Sequence, residues 1–83
     1  MNYNIGPKEF SESVRKRIGR NIRSMREEEG LTPYQLTQIT GLSWHTIQKW
    51  ELGLNAPTVD RLLWFCRTTG WKLSEIIGGG KDG

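Results

Sequence analysis

Eighty-three residues make one domain and leave no room for a second. A hydrophobic share of 35% beside 25% charged residues is that of a folded, soluble chain, which excludes extended disorder away from the ends. The net charge of +3 and isoelectric point near 9.4 are mildly basic, and taken alone point only weakly to a polyanionic partner.

The distribution of charge says more. Six of the twelve basic residues fall between Arg15 and Arg26, and no acidic residue occurs from Gly30 through Trp50. A surface that faces a nucleic-acid duplex needs such a local absence of negative charge. One cysteine, Cys66, permits neither an intrachain disulfide nor a thiolate zinc cluster, and the single histidine, His45, argues further against a metal site. No apolar run approaches a membrane span, and the amino terminus lacks the apolar stretch of a signal peptide. The expectation is a cytoplasmic protein with no membrane, metal, cofactor or small-molecule ligand.

In chain order, residues 1–10 are expected to be a partly flexible arm, 11–77 the folded domain and 78–83 a flexible tail. The first helix has two candidate starts: Pro7, suited to a first turn, and Ser11, an N-cap residue. Phe10, Val14, Ile18, Ile22 and Met25 then recur at spacings of four and three, one face of a helix. Lys16, Arg20 and Arg23 project from the opposite face, and Gly30 stops the helix. In the next segment Thr32 is an N-cap, Pro33 its first helical residue, and Gln35 completes a capping box. Leu36 and Ile39 mark the inner face of this short second helix, which Gly41 breaks.

Ser43 caps a third helix in which Ile47 and Trp50 point inward while Trp44, His45, Gln48 and Lys49 stay outside, and Gly53 ends it. After a connection over 54–57, Thr58 caps a fourth helix with Asp60 in its first turn, where a carboxylate suits the helix dipole. Val59, Leu62, Leu63, Phe65 and Cys66 supply its buried side, and Gly70 closes it. Trp71 to Ile77 make a last short helix. No strand-period alternation appears, so five short helices and an all-α fold are expected.

Two short helices about a glycine corner, the second capped by Ser43, have the layout of a helix-turn-helix. From Ile18 to Ile77 the chain resembles the Cro/phage-repressor (XRE-like) helix-turn-helix family. The residues that carry the resemblance are Ile18-Gly19, Ile22-Arg23, Arg26, Gly30-Leu31-Thr32, Leu36, Gly41-Leu42-Ser43, Thr46-Ile47, Trp50-Glu51 and Gly53. They continue through Pro57-Thr58, Leu62-Leu63, Gly70 and Ile76-Ile77. The resemblance implies a five-helix, lambda-repressor-like domain that binds double-stranded DNA as a repressor-like regulator.

It also assigns roles. Trp44, His45, Gln48 and Lys49 would face base edges; Gln48 suits adenine, and Lys49 suits the O6 and N7 of guanine. Arg20, Arg23 and Asn55, with the cap residues Thr32, Ser43 and Thr46, would meet phosphates. Arg26 and Glu51 take the positions of a structural ion pair. Departures from the family pattern are Pro33, where a DNA-contacting glutamine is usual, Leu52 and Leu54, where polar residues are usual, and Thr37 in place of a small alanine.

Trp64, Trp71 and Leu73 are expected to form a two-fold dimer contact, the alternative for both indoles being a place over the small core. A rival to DNA binding is the same fold used as a protein-interaction module, which Pro33, Leu52, Leu54 and the outward tryptophans favour. No nucleophile with a base, paired carboxylates or phosphate loop is present to make an enzyme.

Overall fold

The computed structural model describes residues 6–78, which form five helices and, among these residues, no strand. The helices are α1 (Pro7–Glu28), α2 (Pro33–Thr40), α3 (Trp44–Glu51), α4 (Val59–Thr69) and α5 (Leu73–Gly78). Most of the expected arm (1–5) and tail (79–83) lies outside the described residues.

Helix α1 takes the earlier of its two candidate starts. Gly6 is the N-cap, and the Glu9 carboxylate accepts the Gly6 N–H at 2.9 Å, satisfying one orphan donor of the first turn. Residues 7–10, assigned to the arm from sequence, are therefore helical, and Gly78, assigned to the tail, belongs to α5. The starts of α2 and α3 follow the local signals, whereas α5 begins at Leu73, two residues after the expected Trp71. Thr32 and Gln35 form the reciprocal capping box of α2, at 3.1 and 2.9 Å. Ser43 caps α3 by accepting the Thr46 N–H at 3.1 Å.

Gly41 has φ +74°, the left-handed corner between α2 and α3, and its N–H reaches the Thr37 carbonyl. Thr37 fits without its expected alanine because its hydroxyl turns back onto the Pro33 carbonyl at 3.0 Å.

Helix α1 is the spine against which α3 and α5 pack, while α4 lies against α2 and α5. The core contains Ile18, Ile22, Leu36, Ile47, Trp50, Phe65, Trp71 and Ile76. Its centre is a chain of three edge-to-face rings: Trp50 on Phe65 at 5.7 Å and Phe65 on Trp71 at 5.5 Å. Cys66 is half-buried beside them, and burial pushes its thiol pKa up.

Four residues expected inside are not. Phe10 sits in the first turn of α1, which at 22 residues outlasts the elements packed on its middle. Val59 lies in the first turn of α4, and Leu63 stands roughly 160° around that helix from Phe65, at the 100° per residue of an α-helix. Ile39 is also exposed, since the inward stripe of α2 is Leu36 and Thr40.

Trp71, expected at a dimer surface, is core: it is 6% exposed, and its indole N–H donates to the Glu29 carboxylate at 2.7 Å. That leaves no indole surface there for a second subunit. Trp64 has a half-exposed ring, yet its N–H donates to the Thr40 carbonyl at 2.7 Å, tying α4 to the end of α2.

Candidate nucleic-acid interface

The position of α3 is set by a backbone contact. A Cβ on Gly19 would overlap the carbonyl oxygen of Trp50 and come within 2.9 Å of that of Glu51. Only glycine lets α1 come this close to the end of α3. About two turns further along α1, the Arg26 guanidinium donates to both Glu51 oxygens, at 2.7 and 3.1 Å, and to the Leu31 carbonyl at 2.7 Å. Both side chains are nearly fully buried, and the Glu51 hydrogen bond is the main cause that raises the Arg26 pKa. The pair is thus a fork held at three points, joining α1, the loop before α2 and α3.

With Ile47 and Trp50 buried, the opposite face of α3 is turned out. Trp44, His45 and Lys49 are exposed there, and Gln48 is half-exposed. The rings of Trp44 and His45 meet edge-on at 5.3 Å, forming one aromatic step at the start of the helix. Lys49 makes no ion pair among the described residues, and no carboxylate lies in the chain from Gly30 to Trp50 to compete for it.

The residues expected at phosphates divide into groups. Arg20 is exposed and unpaired among the described residues, whereas Arg23 pairs with Glu27 at 3.2 Å, an exposed contact of small energy. The hydroxyls of Thr32, Ser43 and Thr46 are engaged locally: Thr32 in its capping box, Ser43 and Thr46 with each other at 2.9 Å. Asn55 is exposed on the loop after α3, which the Lys49 carbonyl ties down through the Leu54 N–H at 2.9 Å.

A groove of about 570 Å³ opens between α3, that loop, and the starts of α1 and α4. His45, Lys49 and Asn55 line it, and so do Arg15 and Arg61, which sequence reasoning missed. Arg15 stood inside the basic run, and its helical phase with Gly19 was the available signal. Nothing local marked Arg61.

This arrangement presents one helix with a polar, acid-free outer face, held rigidly on a short partner helix about a glycine corner. The model of the Cro/C1-type HTH DNA-binding domain matches residues 21–79. The chain belongs to that family. No curated protein and no solved structure matches the chain. As a Cro/C1-type domain it is an all-α, DNA-binding helix-turn-helix module, with α2 and α3 the two helices of the motif. Among the described residues no helix is long and apolar enough to cross a membrane, and no group of three metal-ligand side chains comes together.

Proposed function

We propose that this Cro/C1-type domain is a sequence-specific regulator of transcription, repressor-like in action, that lays α3 in the major groove of double-stranded DNA. The observation that carries the reading is the outer face of α3, where Trp44, His45, Gln48 and Lys49 stand together with no acidic residue from Gly30 to Trp50 and with Glu51 buried against Arg26. A groove about 12 Å wide admits such a helix, and a bidentate contact of the Gln48 kind contributes about 1–3 kcal/mol of base discrimination. Arg20 and Arg23, with Asn55 and the capped helix starts at Thr32, Ser43 and Thr46, then serve the backbone phosphates. Occupancy of the site would occlude polymerase. A homodimer on DNA is part of this reading; of its expected contact residues, Trp64 and Leu73 are at least partly exposed.

The test is selection of bound duplexes from a randomised pool, with retention followed as salt is raised. Enrichment of a defined sequence, lost steeply with salt, is expected. Absence of enrichment together with retention flat in salt overturns the reading, because phosphate neutralisation necessarily releases counterions. That second outcome would favour a protein partner instead. Leu52 and Leu54, both largely exposed beside α3, are the observation behind this rival.

A further inference from the structure

The groove beside α3 carries more positive charge than base reading requires. Arg15, Lys49 and Arg61, from α1, α3 and α4, line it together with His45, and no carboxylate is among its lining residues. These cations are 12 to 46 positions apart in sequence, and only the fold brings them together.

Arg15 is held in place. Its Nε donates to the Gly53 carbonyl at 3.0 Å, leaving the two terminal nitrogens for other partners, with Glu12 a distant 3.9 Å from one of them. Gly53 itself lies close on α1, where a Cβ would fall 2.9 Å from Cγ of Lys16. The side chain of Arg61 makes no ion pair within 4 Å among the described residues. Its sequence neighbour Asp60 is not among the lining residues; that carboxylate, held below its usual pKa chiefly by the Thr58 hydroxyl, also attracts Arg61.

Three permanent cations line one space that has no carboxylate in its lining, with only Glu12 and Asp60 outside it to offset them, and that arrangement favours an anion inside. Planar guanidinium groups also match the paired oxygens of a phosphate.

We propose that this groove is a phosphate site, with Arg15 and Arg61 as the walls that clamp a phosphodiester while Lys49 spans the groove and the base-reading face. The inference rests on the DNA-binding reading for its preferred occupant, a backbone phosphate flanking the major groove. The volume also lies in the range of small-ligand clefts, so a free phosphorylated molecule offers the same chemistry. In the first case Arg15 and Arg61 set the register of α3 on the duplex; in the second, the ligand and DNA compete for Lys49.

Two measurements on the full chain decide this. The first compares the salt dependence of duplex binding in wild type, Arg15→Gln, Arg61→Gln and the control Arg67→Gln, which removes a charge from the far end of α4. Each groove substitution is expected to lower the slope of log affinity against log salt by about 0.9, with the selected sequence unchanged and the control slope intact. Between 50 and 200 mM salt this makes the loss of affinity about 3.5-fold smaller than in wild type. Arg61→Gln breaks no hydrogen bond, so it remains informative if Arg15→Gln disturbs the fold.

The second measurement titrates inorganic phosphate and follows amide and side-chain resonances of His45, Asn55 and Arg61. Shifts at submillimolar phosphate that Arg61→Gln abolishes, with duplex slopes unchanged, assign the groove to a free phosphorylated ligand. Those same shifts in a wild type that binds no duplex keep the groove and discard the DNA reading. Duplex slopes unaltered by both substitutions, with no phosphate shifts, overturn the groove and leave DNA binding standing. An equal change in the Arg67→Gln control also overturns it, since the effect would then be one of overall charge.

Discussion

The side chains with most at stake are the buried pair Arg26 and Glu51. Each lost its hydration on folding; Glu51 is compensated by the Arg26 guanidinium, and Arg26 by Glu51 and the Leu31 carbonyl. Breaking such a pair leaves an uncompensated buried charge, and the penalty exceeds the net worth of the pair itself. Arg26→Ala should therefore lower stability by about 3–5 kcal/mol in urea denaturation. The double variant Arg26→Met, Glu51→Leu should recover most of that loss, because no charge is then left unpaired. A double variant as unstable as the single would show that the pair contributes net stability. The sequence supplied the identity of this pair through family resemblance, but not the fate of the two indoles. Trp64 and Trp71 look alike in a one-dimensional reading. They separate because their partners, the Thr40 carbonyl and the Glu29 carboxylate, lie 24 and 42 positions away.

Helix starts were legible because caps are local: Thr32 with Gln35, and Ser43 with Thr46, each act within one turn. Helix faces were legible only where another element lies opposite. The stripe through Phe10 continues the periodicity of α1 past its packing partners, and Val59 does the same at the start of α4. The contact between elements also gives Gly19 its importance, and no local rule marks it, since its φ is not in the left-handed range. Gly19→Ala should push α3 off α1, at about 1–3 kcal/mol for overpacking, and shift the amide resonances of Trp50 and Glu51 first. A variant of wild-type stability would mean that the two helices can part without consequence. Along the outer face of α3 the opposite behaviour is expected. Gln48→Ala and Lys49→Ala remove groups that do not pack in the core, so the melting temperature should hold while discrimination between duplexes falls by about 1–3 kcal/mol per contact. Unfolding in either variant would show that this face is structural.

Across the whole molecule, the candidate site was legible as a helix and illegible as a surface. Reading residues in order gave the four outward side chains of α3, but the groove is closed by Arg15 and Arg61, which converge on it from α1 and α4. Assembly is a question at the same scale. The extents are 41 × 26 × 20 Å, and half-sites one helical turn apart put two copies about 34 Å between centres. That spacing exceeds the two shorter dimensions and falls short of the longest, so two copies on one face touch only if the long axis lies partly along the duplex. With Trp71 taken up by the core, the expected contact is reduced to Leu73 and the half-exposed ring of Trp64. So small a set predicts weak association of the free protein, strengthened when DNA holds two copies side by side. Sedimentation should show mostly monomer at micromolar concentration, and two copies on an inverted repeat with centres about 10 bp apart. Leu73→Glu should abolish the preference for that spacing while leaving half-site affinity intact. If wild type shows no spacing preference at all, each copy binds alone and the dimer is discarded.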